Sequence, residues 1–229
     1  MLGVTNPRAA SGGTEPETID EVRRDAPQAF TRQDRAVTAA DYAAKALGPD
    51  IAQATATFRW TGSWHTVFVT ADRPGGIAVD DPFEQSLRAR LERYRMAGYD
   101  LEVDSPAYVP IEIALLVCVA PDRFRSDVGQ ATLEVLGSGL RPDGQPALFN
   151  PDRFTFGQPV HVSSVYAAVH AVPGVESVTV TTFQRQREPA TSGLETGVLP
   201  MGRLEIARLD NDPSFPDRGV LTLTTGGGA

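Results

Sequence analysis

Cysteine, lysine and histidine are nearly missing from this chain of 229 residues, and each shortage removes a class of function. Cys118 is the only cysteine, so an internal disulfide and a thiolate metal site are both excluded. Within the apolar run LLVCV it reads as a small buried hydrophobe. The three histidines, His65, His161 and His170, have no second ligand at a metal-type interval. His161 and His170 would lie on different faces of one helix, and each of the three reads as structural or solvated. No apolar run approaches the ~20 residues a membrane span needs. The opening MLGVTNPRAASGGTEPE lacks the basic start and sustained apolar core of a secretory signal. The formal net charge of −8 lacks the basic footprint of a nucleic-acid binder. With Lys45 the only lysine, the cations are nearly all arginine forks suited to interface pairing, although a GC-rich genome gives the same bias.

Catalytic patterns are equally scarce. No Gly-x-Ser-x-Gly occurs, and Ser163-Ser164 sits where a helix start would use it as a cap. The glycines of GSGLRPDG lack the Gly-Lys-Ser/Thr of a phosphate loop. Asp210, Asn211, Asp212 and Asp217 fail as a calcium loop, because Phe215 stands where glycine is required and Leu221 where glutamate is required. They read as a turn held by Asx side chains. Asp100, Glu102 and Asp104 alternate along a strand and read as an exposed acidic edge. No catalytic, cofactor-binding or metal-ligating residue is assigned, no cofactor is expected, and the chain does not read as an enzyme.

What is present is an internal repeat. A shift of 124 positions lays Pro27, Phe30, Thr31, Tyr42, Ala43, Ala44, Pro49, Thr55 and Thr57 on Pro151, Phe154, Thr155, Tyr166, Ala167, Ala168, Pro173, Thr179 and Thr181. That is nine identities in 32 ungapped positions. Ala and Thr are common enough for chance to compete, but the shared Tyr-Ala-Ala favours duplication. Two copies are too few for a solenoid and suit a helix-then-hairpin module repeated within one body.

Taken in order, residues 1–19 read as a linker or arm, with a short helical turn over 18–24 stopped by Pro27. Thr38 and Asp41 predict a capped helix over 39–47. Alternation predicts a strand over 52–58, a turn at Gly62-Ser63 and a return strand from Trp64, with Trp60 and Trp64 flanking the turn. Asp72 to Asp80 reads as a loop. Asp80 or Asp81 with Pro82 opens a helix that Gly98 ends near residue 97. LEVDSP is a short strand, and VPIEIALLVCVA a central one buried on both sides over its latter half. Phe124, Val128, Ala131 and Val135 mark a helix face, and 138–150 a projecting loop. A helix from His161 or Ser163 turns inward Val162, Val165, Tyr166, Val169 and Val172. On the strand after Pro173-Gly174, Val178, Val180 and Thr182 share one face. Residues 184–200 read as a mobile loop, GRLEIARL as a strand, LDNDPSFPDRG as a turn cluster and VLTLTTGGGA as a last strand. The fold class is α+β, with duplicated helix-plus-hairpin modules and helices packed on mainly antiparallel sheets. The organisation expected is an arm over 1–30, a first module over 31–106 and a second over 107–229.

The segments 6–30, RAVTAADYAA (35–44), FTFGQPVHVSSVYAAVHAVPGVESVTVTTFQR (154–185) and MGRLEIARLDNDPSFPDRGVLTL (201–223) resemble the C-terminal portion of baseplate J-like proteins of contractile phage tails and contractile injection systems. The resemblance implies a structural wedge component that links wedges around the hub and relays the contraction trigger. Implied partners are other wedge subunits, hub and sheath-proximal proteins, and copies of itself or a paralogue. Neither nucleic acid nor a membrane span is implied. Assembly would take place in the bacterial cytoplasm, into a phage tail-like particle. Members of that family are longer, so the chain is expected to be a C-terminal piece or a short paralogue. The arm, the 138–150 loop and the 186–200 loop are expected to reach neighbouring subunits. The reading from a different class is a carbohydrate- or peptide-binding module using the Trp60/Trp64 hairpin.

Overall fold

A computed structural model describes residues 16–29, 35–187 and 193–229, which fall into two units, 1–35 and 36–229. In the first unit, helix α1 (Ile19–Ala29) is opened by a reciprocal box. The Thr18 N–H donates to the Glu21 carboxylate at 2.8 Å, and the Glu21 N–H donates back to the Thr18 hydroxyl at 3.3 Å. Two orphan donors are satisfied at once. The helix continues through Pro27 instead of stopping before it. Pro27 stands in the last turn, where its missing N–H forfeits one bond and little helix remains to be disturbed. Residues 1–15 of the expected arm lie outside the described residues.

The second unit opens with α2 (Ala39–Ala46), capped as its sequence predicts. The Asp41 carboxylate accepts from the Thr38 N–H at 2.8 Å while the Thr38 hydroxyl accepts from the Asp41 N–H at 3.2 Å. Strands β1 (Gln53–Trp60) and β2 (His65–Asp72) form an antiparallel hairpin, in register from Gln53 opposite Asp72 to Trp60 opposite His65. Helix α3 (Asp81–Glu92) starts on the Asp80 carboxylate, which accepts from the Phe83 N–H at 3.0 Å. It stops near residue 92, short of Gly98. The Tyr94 N–H tightens back to the Leu91 carbonyl, the Tyr94 carbonyl is taken by the Ala36 N–H, and Arg95 folds onto Glu92 and the Tyr99 carbonyl. Strand β3 (Asp100–Asp104) then lies parallel to β2, giving the order β1-β2-β3. Tyr42, Val67, Val69, Leu87 and Leu91 fill the core between this sheet and α2 and α3.

Strand β4 (Ala107–Val119) is the axis of the second sheet. Val109, Ile111, Ile113, Leu115, Val117 and Val119 all point into a second buried cluster, the period-two pattern of a strand with one face in the core. Helix α4 (Arg125–Leu136), the short strand β5 (Val160–His161), α5 (Val162–His170) and β6 (Val175–Arg185) follow. They are succeeded by α6 (Gly193–Thr196), β7 (Val198–Leu199), β8 (Glu205–Arg208) and β9 (Val220–Gly227). β6 runs antiparallel to β4, and β5 antiparallel to β7. β8 and β9 both run parallel to β4, beside residues 107–110 and 112–119 respectively. β8 and β9 therefore form one interrupted strand with 209–219 looped out between them. The class is α+β, but the pairings are mixed: β2–β3, β4–β8 and β4–β9 are parallel.

The repeat is visible at atomic detail over part of its length. α2 and α5 occupy equivalent positions, and each is followed by the same turn bond. The Ile51 N–H donates to the Gly48 carbonyl at 3.1 Å, and 124 positions later the Val175 N–H donates to the Val172 carbonyl at 3.2 Å. The hydroxyls of Tyr42 and Tyr166 each accept a backbone N–H at 3.3 Å, from Met96 and Val180. The hairpin is not repeated, however. β1 pairs forward with β2, whereas β6 pairs back with β4.

Several local expectations are corrected. The outer face of β4 is open over its latter half: Leu116 is 46% exposed and Cys118 only half-buried. On β6 a bulge between the partners of Ala114 and Leu115 shifts the phase, so Phe183, not Thr182, joins Val180 in the core. Phe124 is 65% exposed and precedes α4 instead of lining its buried face. His161 occupies the N-cap of α5 with no side-chain cap, and Ser163-Ser164 lie inside the first turn. The 138–150 segment folds back on α4, its Leu148 and Phe149 N–H groups donating to the Val135 and Gly137 carbonyls, with Ala147 and Phe149 buried. In the 184–200 stretch, β6 runs on to Arg185, and residues 193–199 form α6 and β7, anchored by buried Leu199; residues 188–192 lie outside the described residues.

Candidate interaction surface

Between the two cores lies the one buried acid of the described residues. Asp72 ends β2 inside the protein, where the Tyr108 hydroxyl donates to its carboxylate at 2.7 Å. Loss of solvation pushes the Asp72 carboxyl above its ordinary range, against the stabilising Tyr108 bond. Burial, then the bond to Asp72, pushes the Tyr108 phenol well above its own. The Arg208 guanidinium stands 5.1 Å from the Tyr108 ring centroid. Nearby, the Gly75 N–H donates to the Asp152 carboxylate at 2.7 Å, and the Gln53 amide reaches the Phe154 carbonyl at 2.8 Å. The void beside Tyr108 holds only ≈ 10 Å³, room for about one water. An acid and a phenol are thus present without space for a substrate, and the arrangement is a structural tie between the cores. Neither residue was signalled by sequence pattern, since Asp72 sits at the end of an apolar strand that reads as passing into a loop.

The GRLEIARLDNDPSFPDRG segment is likewise explained by structure. Arg208 grips Asp210 through Nε and Nη2 at 3.0 and 2.6 Å, and the Asp210 N–H donates to the Arg218 carbonyl at 3.0 Å, closing the looped-out segment at its base. The Asn211 side chain accepts from the Leu221 N–H at 3.0 Å, and that of Asp212 from the Ser214 N–H at 2.8 Å, the latter an Asx-turn. Glu205 accepts from the Gly202 N–H at 2.6 Å and pairs with Arg185. Among the described residues no group of three or more His, Cys, Asp or Glu side chains is placed to hold a metal ion.

Two surfaces remain that could meet a partner. The first is the hairpin tip, where Trp60 and Trp64 are 61% and 58% exposed. Gly62, at φ +104°, supplies the left-handed first position of its tight turn. Trp60 is opposite His65 in the register, and the Thr61 N–H bonds the Trp64 carbonyl at 3.1 Å as the next rung. Successive rungs face opposite sides of a hairpin, so the two indoles do not form one stacking platform.

The second is a trough of ≈ 450 Å³ between α4 and α5, floored by Ala131, Ala167, Ala168 and Ala171, with Arg141 and Arg153 among its lining residues. A smaller pocket of ≈ 120 Å³ shares Leu148, Arg153 and Ser164 with it and also reaches His161. Among the described residues no hydrogen bond joins Ser164 to His161, the contact by which a base activates a nucleophile. Arg141 pairs with Asp143 at 3.1 Å, while Arg153 pairs with no carboxylate among the described residues. Small side chains below and a cation beside them suit contact with another chain better than chemistry. Among the described residues no helix is long and apolar enough to cross a membrane.

Residues 34–104 match the family model of the baseplate J-like central domain. The match encloses the first core and leaves 154–185 and 201–223 outside it. No curated protein matches the sequence. Among solved structures the chain is similar to a chain of the anti-feeding prophage baseplate determined by cryo-electron microscopy, at 17% identity and a TM-score of 0.46. The likeness covers 89% of this chain and 46% of that one. This chain thus spans about half the length of its structural neighbour.

Proposed function

From the match of residues 34–104 to the baseplate J-like central domain, we propose that the chain is a baseplate J-like protein and a structural component of the baseplate of a contractile tail or injection system. In this reading it is a wedge subunit that links neighbouring wedges around the hub and relays the trigger for sheath contraction. Its partners are other wedge, hub and sheath-proximal proteins and further copies of itself or a paralogue. It is assembled in the bacterial cytoplasm into a phage tail-like particle, and it works by binding, without catalysis or cofactor.

The observation that carries this reading is the agreement between the matched span and a self-contained core. The family model begins at residue 34 and ends at 104, and the first buried cluster runs from Ala36 to Val103. The same coincidence supports an organisation as an arm over 1–30, one module over 31–106 and another over 107–229, the last enclosing the cluster from Ile111 to Leu221. Geometry supports binding over chemistry, because the buried acid is sealed and, among the described residues, the open surfaces carry no activated group.

Affinity purification of the tagged chain from its native host, with mass spectrometry of the eluate, tests the proposal. Sheath, tube and baseplate proteins are expected to co-purify. A chain recovered alone from cells that assemble such particles would refute it.

A further inference from the structure

Strand β9 leaves one edge of the second sheet open. It pairs with β4 along its other side in unbroken register, from Val220 beside Glu112 to Gly227 beside Val119. Successive residues of a strand turn their backbone groups to opposite edges. The Gly228 N–H donates to the Val119 carbonyl at 2.9 Å, and the Leu221 N–H to the Asn211 side chain at 3.0 Å. Those two bonds set the phase. Even-numbered residues of β9 bond β4, and Leu221, Leu223 and Thr225 aim their N–H and C=O groups away from it. Asn211 answers the Leu221 N–H, whereas those of Leu223 and Thr225 have no partner among the described residues.

Exposed edges are ordinarily blunted by charge, proline, a bulge or a cover. β3, an edge of the first sheet, carries Asp100, Glu102 and Asp104. On β6 the Val180 N–H is taken by the Tyr166 hydroxyl. β9 has no such guard at Leu223 and Thr225. Residues 219–229 hold no charged side chain and no proline, in a chain of net charge −8, and no register shift interrupts the strand. Helix α4 lies over it on the core side, where a Cβ at Gly129 would stand 3.5 Å from the Thr225 methyl. Ser126 and Leu133, on that same side of α4, add no charge to the approach.

We propose that β9 pairs antiparallel with β9 of a second copy of this chain, about a two-fold axis at Thr224. Unpaired N–H and C=O groups at alternate positions call for another strand, and two acidic molecules meet at this one without opposing like charges. In this register Leu223 and Thr225 exchange both backbone bonds with Thr225 and Leu223 of the second copy, so every free group at these positions is used. An axis at Leu223 would instead set Thr225 against Leu221, whose N–H is already bonded. Thr224 meets its own copy as a non-hydrogen-bonded pair, with Cα atoms about 4.5 Å apart. The contact is isologous and closes at the dimer. It gives the self-partner of the proposed function a surface, and rests on that reading only for its place in a particle. The purified chain tests it apart from any co-purification.

The test is sedimentation velocity of the full-length protein across a range of concentrations. Wild type is expected to dimerise as concentration rises. Thr224 is exposed, and Thr224→Lys or Thr224→Glu sets like charges together at the axis, weakening the dimer at least about tenfold. An equimolar mixture of these two variants is expected to recover it, because opposite charges then meet. Thr225→Pro removes an outward N–H and none of the bonds to β4, and the same loss is expected, with circular dichroism verifying the fold. Leu116→Lys, on the open face of the sheet, is expected to dimerise as wild type does, which separates edge pairing from stacking of two open faces. A wild type that stays monomeric at every concentration overturns the proposal. So do Thr224 variants that sediment as wild type, a mixture no more associated than its components, or loss with Leu116→Lys but not with Thr225→Pro.

Discussion

The Tyr108 hydroxyl donates to the Asp72 carboxylate at 2.7 Å, joining the first residues of β4 to the last residue of β2. This bond links the two cores at a point where the acid is buried and has little access to water. Tyr108→Phe removes the donor and keeps the shape. The expected loss is about 1–3 kcal/mol, the cost of a buried acceptor left without its partner, read from urea unfolding. An unchanged midpoint would mean that water replaces the phenol without penalty.

Asp72 also makes stability depend on pH. Its folded carboxyl is raised above the ordinary range by loss of solvation, so the folded state holds this proton more tightly than the unfolded chain. That contribution is complete below the unfolded value and is lost as pH rises through the folded one. Asp72→Asn keeps an acceptor for Tyr108 and abolishes the titration. Relative to wild type, the variant is expected to gain stability as pH rises from acid toward neutral, checked by melting temperature. Parallel curves for the two proteins would contradict the assignment.

Gly219 closes the looped-out segment between β8 and β9 at φ +101°. A Cβ there would stand 2.7 Å from the Arg208 carbonyl oxygen and 3.0 Å from that of Ile111. Both obstacles are backbone and cannot swing away. Gly219→Ala is expected to cost at least about 1–3 kcal/mol, with Gly139→Ala, which meets nothing within 4 Å, as the tolerated control. Equal unfolding midpoints for the two variants would show that the loop relaxes.

Thr38→Ala removes one half of the α2 capping box. The expected cost is about 1 kcal/mol, measured by chemical denaturation, with Thr38→Ser recovering most of it. A Thr38→Ser variant as unstable as the alanine variant would point to the methyl group instead of the cap.

The parts of this fold legible in the sequence are those fixed by neighbours along the chain. Thr38 with Asp41, Asp80 with Pro82, and Gly62-Ser63 each specify a cap or turn within four residues, and each is found in place. The inward face of β4 was equally plain from its alternation, whereas its other face, read as buried over the latter half, is open there. What the sequence hid depends on partners far along the chain. The bulge that moves Phe183 inward is a property of the β4–β6 pair, and β6 pairing back to β4 cannot be read from a repeat that matches β1. The tie between Asp72 and Tyr108 spans 36 residues and has no local signature. The alanine trough arises only when α4 and α5 meet, each helix by itself showing an ordinary run of small residues. In the segment 201–223 the residues that carry the family resemblance are the ones that lock β8, the looped-out segment and β9 together.

The most direct test of a structural role in the baseplate is loss of the chain in its native host, followed by electron microscopy of the contractile particles. The account predicts tubes and sheaths without assembled baseplates, with complete particles restored by the wild-type chain supplied separately. Complete, contraction-competent particles in normal number without the chain would contradict it.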